Sequence, residues 1–268
     1  MTIAEWLKNA NTQLTHAAIP TAQLDAEIIL THTLRKSRTW IHAHNDDVLS
    51  SRLIEIADAR LDLRLDRTPV AYIIGHKEFY MRSFKVTPSV LIPRPESESI
   101  ITLLKKHLPR DANRLIDVGT GSGCLGITAK LELPNLNVTL TDISRHALKV
   151  AESNSSALHA EVTLAKSDLL SQVPGLFDVV IANLPYVDRD WKCSPETDQE
   201  PSLALFADDA GLALIEKLLD QLPEALNTLG LVLLEADPCQ HETIIAKCAK
   251  LGLKHVETEG YAVALVKP

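Results

Sequence analysis

Three alternating glycines, Gly119, Gly121 and Gly123, follow a short apolar run and come directly before a stretch with helical spacing. Glycine lets the backbone turn sharply and lets a ligand approach the main-chain N–H groups at the start of a helix, where the helix dipole also favours acceptor atoms. A second apolar run ends at Asp142, about 20 residues beyond the turn, where a carboxylate can accept hydrogen bonds from both hydroxyls of a ribose. This strand, turn, helix and acidic residue predict a pocket for a cofactor that contains adenosine.

The glycines alone leave the kind of cofactor open. Gly121, Gly123 and Gly126 also match the dinucleotide fingerprint, and an isolated match of that kind is weak evidence. Asp117 stands two residues before the first glycine, and we expect its carboxylate to face the pocket and to repel a diphosphate. S-adenosylmethionine has no phosphate and carries an ammonium and a sulfonium, which a carboxylate attracts. We therefore predict S-adenosylmethionine; the alternatives are a dinucleotide and a turn that binds nothing.

Polar residues also follow two later apolar runs. Asp168 is predicted either to hold the adenine amino group or to cap the next turn. Asn183, Leu184, Pro185 and Tyr186 follow the next run, and by themselves they are typical of a polar turn after a strand. In a doubly wound sheet this segment lies beside the glycine turn, and the two motifs together are more specific than either alone.

The pattern of the chain predicts how these residues are positioned. Strand and helix patterns alternate over residues 99–268, which predicts an α/β fold with a doubly wound Rossmann-like sheet. Residues 1–82 carry three amphipathic helix patterns and few strand signals, which predicts a small N-terminal helical-bundle domain that binds a partner or shapes the cleft. Between its helices, His42 and His44 are predicted to mark an exposed loop.

Residues 83–98 are predicted to form a hairpin and a stiff connector, because their prolines keep the backbone extended. Aromatic side chains are concentrated near this segment. We expect them to be exposed and to form a wall that faces the substrate, with a plain linker as the alternative. These aromatic residues are Tyr72, Phe79, Tyr80 and Phe84.

Composition excludes several classes of protein. A hydrophobic content of 46% with 23% charged residues is that of a soluble globular protein, and no apolar run reaches the length of a membrane span. The net charge of −8 disfavours a partner held by its phosphates. The four cysteines are widely spaced, so neither disulfides nor a metal site is predicted. We expect a cytoplasmic monomer without metal, membrane or nucleic-acid partner.

Nearly the whole chain resembles the HemK/PrmC-type glutamine methyltransferases, which modify peptide chain release factors. The most specific match is Ile-Pro-Arg-Pro-Glu within residues 91–98, whereas many methyltransferases share the glycine turn. The other matching segments are residues 117–123, Asp142, 167–169, 183–186, 200–201, 203–206 and 233–235.

The resemblance implies roles for particular residues. The glutamine would be held by Asn183, Leu184, Pro185 and Tyr186, and the helical N-terminal domain would help to dock the release factor. Contacts to S-adenosylmethionine are expected from Gly119, Thr120, Gly121, Ser122, Gly123, Asp142, Asp168, Leu169 and Asn183.

The chemistry explains why such a motif is needed. A carboxamide nitrogen is a poor nucleophile because its lone pair is delocalised into the carbonyl. The side-chain oxygen of Asn183 and the carbonyl of residue 184 can each accept one of its N–H bonds and so direct the lone pair toward the methyl carbon, while Tyr186 stacks on the amide. Such orientation can contribute on the order of 7–11 kcal/mol. No strong general base is needed, because the amide loses its proton after the transfer.

The motif departs from the family pattern at one position. The family usually has Asn-Pro-Pro-Tyr, and here Leu184 replaces the first proline. Its carbonyl is unchanged, but its N–H needs a partner and Asn183 loses a conformational restraint, at an expected cost of roughly 0.4–1 kcal/mol.

Two other functions fit part of the sequence. The same turn serves methyltransferases that act on the amino group of adenine in nucleic acid, which the acidic composition disfavours. A non-catalytic binding module with the methyltransferase fold is the other alternative, for which Leu184 is the one hint.

Overall fold

The computed structural model describes residues 1–268 and divides the chain into two compact units. The first unit comprises Met1–His76 with Ser194–Gln199, and the second comprises Lys77–Cys193 with Glu200–Pro268. The division therefore falls after His76, ahead of the boundary predicted at residue 82, and a short later segment belongs to the first unit.

The first unit is helical. Trp6 and Leu14 of its first helix are buried in an apolar core with Ile29, Leu30 and other side chains of the unit. The first helix begins with a capping box formed by Thr2 and Glu5. Its helices are Ile3–His16 (α1), Ala22–Leu34 (α2), Arg38–Ala43 (α3), Ser51–Leu65 (α4) and Val70–Ile74 (α5).

The expectation that His42 and His44 mark an exposed loop is wrong for His42, which lies in helix α3. The Ser37 side chain caps this helix by accepting a hydrogen bond from the Trp40 N–H at 3.1 Å, and the His44 ring stacks on Trp40 with centroids 4.2 Å apart. A helix of 6 residues is too short to show a helical period in the sequence.

A hairpin is present, but it is formed by His76–Phe79 (β1) and Arg82–Lys85 (β2) and so lies ahead of most of the predicted range 83–98. The aromatic residues predicted to form an exposed wall do not do so, since Phe79 and Phe84 are 1% and 0% exposed and Tyr72 and Tyr80 are half-buried. Their rings meet edge to face within the apolar core of the second unit, with centroids 6.2 Å apart. Burial of apolar side chains is favourable, so these two rings pack into the core beneath the hairpin. The hairpin from Lys77 onward belongs to the second unit.

The second unit is built around a seven-stranded sheet with the order β10-β11-β9-β6-β3-β4-β5. The strands β9, β6, β3, β4 and β5 are parallel to one another. At one edge of the sheet, β11 pairs antiparallel with β9, and β10 pairs antiparallel with β11. Two further short strands, Val187–Asp188 (β7) and Phe206–Ala207 (β8), pair with each other. The sheet strands are Arg114–Val118 (β3), Asn137–Asp142 (β4), Val162–Lys166 (β5), Phe177–Ala182 (β6), Leu226–Glu235 (β9), Lys254–Glu259 (β10) and Ala262–Val266 (β11).

Helices cover both faces of this sheet. Alternate strand residues point to opposite faces, so Leu115 packs into one apolar cluster and Ile116 into the other. The first cluster includes residues of Glu98–His107 (α6), Cys124–Glu132 (α7) and Arg145–Ala157 (α8). The second includes residues of Ala213–Ala225 (α9) and His241–Lys250 (α10). No helix of the chain combines the length and the apolar character needed to cross a bilayer.

The strand order confirms the predicted doubly wound fold. The chain runs outward from β3 through β4 to β5 and then returns to place β6 on the other side of β3. Val118 is paired with Thr141 of β4 and with Ala182 of β6, so these three strands end side by side. Ligands of such sheets bind at this reversal, beyond the carboxyl ends of the strands.

Candidate active site

The glycine turn begins at Gly119, directly after β3. Its φ of 71° lies in the left-handed region, and a Cβ atom there would come within 2.8 Å of the Leu184 side chain. The Thr120 N–H donates to the Thr141 carbonyl at 2.8 Å, which ties the turn to the end of β4. Glycine is required here both by the backbone angle and by the close approach of the segment that follows β6.

Asp142 holds the glycine turn against its own strand end. Its Oδ2 accepts the Gly121 N–H at 3.0 Å, and its Oδ1 accepts the Ser144 N–H at 2.8 Å. Burial raises the pKa of this carboxyl, although the backbone donors lower it. Each oxygen of a carboxylate can accept more than one hydrogen bond, so the residue keeps capacity for ligand hydroxyls.

Asp117 does not face the cavity, and the expectation that its carboxylate repels a diphosphate there is wrong. The side chain is 1% exposed, and its Oδ2 accepts the Thr120 hydroxyl at 2.6 Å and the Gly126 N–H at 2.9 Å. The alternation along β3 turns it toward helix α7, where it joins the turn to the helix. Burial raises the pKa of Asp117 to about 6, against the effect of these two hydrogen bonds.

This pKa predicts a pH-dependent stability. The ordinary pKa is 3.8, so the folded state binds this proton more tightly than the unfolded state does. The protonated Asp117 therefore adds to the free energy of unfolding below pH 3.8, and this contribution is lost as the pH rises through about 6. Between pH 5 and pH 7 we expect the unfolding free energy of the parent to fall by about 1.4 kcal/mol relative to Asp117→Asn. Urea titrations of both proteins check this, with the exposed Asp111→Asn as control; parallel pH profiles of parent and Asp117→Asn would contradict it.

A cavity of about 270 Å³ lies beyond the ends of β3, β4, β5 and β6. It brings together eight of the residues predicted from the sequence, namely Gly119, Gly121, Asp142, Asp168, Leu169, Asn183, Leu184 and Pro185. Apolar side chains from several segments complete the lining, among them Leu91, Ile143 and Leu203. Thr120, Ser122, Gly123 and Tyr186 are not part of the lining, and their predicted ligand contacts stay predictions.

The charges around the cavity fit S-adenosylmethionine. The lining contains two carboxylates, Asp142 and Asp168, and neither lysine nor arginine, so a cationic ligand is favoured over a diphosphate. Asp168 does not cap the following turn; its Oδ2 accepts the Lys217 ammonium at 2.6 Å. The N–H of Leu169 has no hydrogen-bond partner in the protein and is a candidate donor to an adenine ring.

The segment after β6 contributes Asn183 and Leu184 to the lining of the same cavity. Asn183 donates from Nδ2 to the Ser97 hydroxyl at 3.0 Å, while its Oδ1 accepts no hydrogen bond within the protein. The backbone carbonyl of Leu184 likewise has no donor, and its N–H has no acceptor. Tyr186 is half-buried, and its hydroxyl donates to Glu235 at 3.1 Å.

Four residues that sequence reasoning left without a role support this site. Ser97 and Glu235 lie behind Asn183 and Tyr186. Gln240 donates to the Tyr186 carbonyl at 2.9 Å and to the Ala210 carbonyl at 2.8 Å. Glu200 accepts from the Ile92 N–H at 3.2 Å and from Arg94 at 2.5 Å, and so fixes the connector beside the cavity. Ser97, Glu200 and Glu235 lie in segments that resemble the family, and Gln240 does not. That these residues support the site could be recognised only from the folded structure, which shows their contacts.

Comparisons with known proteins agree with this geometry. The sequence-family model of the PrmC N-terminal domain matches residues 5–75, and that of the methyltransferase small domain matches residues 97–197. A methyltransferase from Pyrococcus furiosus is 23% identical, with a TM-score of 0.55 over 78% of this chain and 97% of that chain. The 16S rRNA N2 G1207 methyltransferase of T. thermophilus is 14% identical, with a TM-score of 0.55 over 72% of this chain and 49% of that one. At these identities the structural likeness shows the fold alone.

Relatives of similar length are closer in sequence. A release factor glutamine methyltransferase from Koribacter versatilis is 37% identical over 249 residues, which cover 89% of each chain. The protein of that name from Escherichia coli is 32% identical over 265 residues, which cover 96% of this chain and 94% of that one.

Fold, glycine turn and acidic strand end define an S-adenosylmethionine-dependent methyltransferase. Within that class, the chain belongs to the release factor glutamine methyltransferase family, as the identity along nearly the whole chain shows.

Proposed function

We propose that this protein transfers a methyl group from S-adenosylmethionine to the side-chain amide nitrogen of the glutamine in the Gly-Gly-Gln loop of a peptide chain release factor. One observation carries the proposal: Asn183 and Leu184 line the cavity, and neither the Asn183 Oδ1 nor the Leu184 carbonyl accepts a hydrogen bond within the protein. A carboxamide NH₂ has two donors, and these two acceptors match them.

The residues act by orientation. With its two N–H bonds accepted by Asn183 and Leu184, the amide nitrogen can neither rotate nor present an N–H toward the methyl donor. Its lone pair is then directed at the reacting carbon, which reduces the entropic part of the barrier. When bound, S-adenosylmethionine supplies an electrophilic methyl group on a positively charged sulfur. Proton removal before the transfer is unnecessary, because the amide N–H becomes strongly acidic once nitrogen has reacted.

Other residues hold the two reactants. We propose that Asp142 binds the ribose and the N–H of Leu169 the adenine of the cofactor; both residues line the cavity, as does Asp168. Tyr186 is placed by its contact with Glu235, and we propose that its ring stacks on the amide. The helical unit would dock the release factor, and we propose a cytoplasmic monomer that does not require nucleic acid.

The test is incubation of the purified chain with a release factor and labelled S-adenosylmethionine, followed by mass spectrometry of the tryptic peptides. We expect one methyl group, located on the glutamine of the Gly-Gly-Gln loop. A release factor whose glutamine is replaced by alanine is the matched substrate control. Label on nucleic acid, or a release factor that stays unmodified, would count against the proposal.

The unusual residue of the motif gives a further prediction. Leu184 is 4% exposed and packs in the apolar cluster with Val118 and Ala182, and its N–H makes no hydrogen bond in the protein. Leu184→Pro therefore loses apolar packing but no hydrogen bond. We expect the unfolding free energy to fall by about 1–3 kcal/mol, while turnover changes less than about tenfold because the carbonyl remains. Thermal melts and single-turnover assays check this; a loss of activity without loss of stability would contradict it.

A further inference from the structure

A buried carboxylate lies behind the Asn183–Tyr186 segment. Glu235 is 1% exposed at the end of β9, and its Oε1 accepts the Tyr186 hydroxyl at 3.1 Å. Its Oε2 is buried and has no partner with regular hydrogen-bond geometry, although Ser97 and Asn183 stand near enough to stabilise the charge. A carboxylate in such a place is costly to bury, and the groups around it are the ones that hold the proposed substrate.

We propose that Glu235, acting through Ser97, is a positioning residue that determines which atom of the Asn183 amide faces the cavity. This inference rests on the proposed function, because it matters only if Asn183 must present an acceptor. An asparagine amide fits its site in two orientations that differ by a half turn, and they exchange an acceptor for a donor at the cavity. Only the orientation with Oδ1 outward can accept an N–H of a carboxamide.

The direction of the hydrogen bonds follows from the charge. An ionised carboxylate accepts and never donates, so the hydroxyl hydrogen of Ser97 is drawn toward Glu235. The Ser97 oxygen is then an acceptor for Asn183 Nδ2, at the observed 3.0 Å. The reversed amide would place the Asn183 oxygen against the oxygens of Ser97 and Glu235, which is repulsive. The carboxylate thus favours the productive orientation without touching the substrate.

The same carboxylate holds Tyr186. Burial, together with the charge of Glu235, raises the pKa of the Tyr186 phenol, so it stays a neutral donor. Gln240 fixes the backbone carbonyl of Tyr186 from the same side. One buried acceptor therefore orders both side chains of the segment.

The arrangement should respond to pH. Burial raises the pKa of Glu235, and the negative charge of Glu96 adds to this effect, while Ser97, Tyr186 and Asn183 oppose it. The other titratable group affected by Glu235 is the Cys124 thiol, whose pKa is raised to about 12, mainly by burial. The pKa of Tyr186 is also raised by Tyr261 and lowered by Arg94. On acidification Glu235 becomes a donor, and the preference for the productive amide orientation is lost.

The test uses the full chain, with single-turnover methylation of a release factor from pH 5 to pH 8 and calorimetry with S-adenosylmethionine. We expect Glu235→Gln to lower turnover at pH 7.5 about tenfold while the Kd for S-adenosylmethionine changes less than about twofold. The parent should lose activity on acidification at a pH above the ordinary range of glutamate, and Glu235→Gln should lack this acid limb. Glu96→Gln should move the limb to lower pH.

Further variants separate positioning from folding. Ser97→Ala leaves the carboxylate in place but removes the hydroxyl that accepts from Asn183, so that only the weaker direct effect of Glu235 on the amide remains. It should lower turnover with little effect on the cofactor Kd. The exposed Glu259→Gln should match the parent throughout. If Glu235→Gln does not fold, Ser97→Ala and Glu96→Gln still decide the question.

A readout without activity distinguishes this inference from the proposed function. The Asn183 side-chain amide signals in the NMR spectrum, identified by their absence in Asn183→Ala, should shift in the parent over the pH range in which Glu235 titrates. These signals should not shift with pH in Glu235→Gln. If that variant does not fold, the pH range of the shift should instead move to lower pH in Glu96→Gln. An active parent whose acid limb survives in Glu235→Gln, or a Ser97→Ala variant as active as the parent, overturns the inference. Failure of the parent to methylate, with the amide shift present, would overturn the proposed function alone.

Discussion

Replacing Asn183 by alanine should lower the rate of methyl transfer by about 10²–10³-fold, the range found when one preorganised polar contact to a reacting group is removed. The variant loses the Oδ1 acceptor, so one N–H of the substrate amide is left unpaired. The plane of the amide group can then turn away from the orientation that suits the transfer. The Leu184 carbonyl remains and keeps part of the orientation. Single-turnover assays with saturating S-adenosylmethionine measure this rate directly.

The same substitution should change the Kd for S-adenosylmethionine less than about tenfold, because Asp142 and the glycine turn remain in place. Asn137→Ala is the matched control, since this exposed residue lies at the opposite end of the sheet, where its side chain bonds to Asn113. A variant that turns over as fast as the parent would remove Asn183 from the mechanism. Equal losses in rate and in cofactor affinity would make it a cofactor residue rather than a substrate residue.

Replacing Asp142 by alanine should have the opposite profile. We expect the Kd for S-adenosylmethionine to rise on the order of 10²-fold, because hydrogen bonds to a charged group contribute about 1.5–3 kcal/mol each. The substitution also frees the N–H groups of Gly121 and Ser144, which Asp142 holds at 3.0 Å and 2.8 Å. The glycine turn then loses one of its two ties to β4, while the hydrogen bond from the Thr120 N–H to the Thr141 carbonyl remains. Calorimetry measures the affinity.

Two variants give this prediction its contrast. Asp142→Asn keeps one acceptor oxygen and should lie between the parent and the alanine variant. Asp168→Ala should have a smaller effect, because the Asp168 side chain is engaged by Lys217. Saturating cofactor should restore most of the rate of Asp142→Ala and little of the rate of Asn183→Ala. If Asp142→Ala binds S-adenosylmethionine as tightly as the parent, Asp142 has no part in the cofactor site.

Local patterns in the sequence were sufficient for most of the second unit. The apolar run over 177–182 predicts a strand, which is observed as Phe177–Ala182, and the helical spacing over 144–158 predicts a helix, which is observed as Arg145–Ala157. These elements have strong local signals, a run of apolar residues in one and helical spacing behind a capping serine in the other. The helix Arg38–Ala43 was missed because it is held by one capping side chain rather than by a repeating apolar face.

Side-chain direction was the weakest part of the prediction. Asp117 was expected in the cavity and lies instead against helix α7, and Phe79 and Phe84 were expected at the surface and lie in the core. In each case the residue type was read correctly as polar or aromatic. The face of the strand to which a side chain points depends on what packs against that face, and the local sequence does not contain this information.

The sequence by itself determined the types of element, the glycine turn with its distant Asp142, and the family. The tertiary structure decided which groups meet. Strands β3, β4 and β6 end at one edge because the chain reverses there, and this brings Gly119, Asp142 and Asn183 to one cavity. Ser97 bonds to Asn183 across 86 positions of sequence, and Tyr186 to Glu235 across 49. Hydrogen bonds over such separations are set by strand order and burial, which are properties of the packed chain and not of any segment.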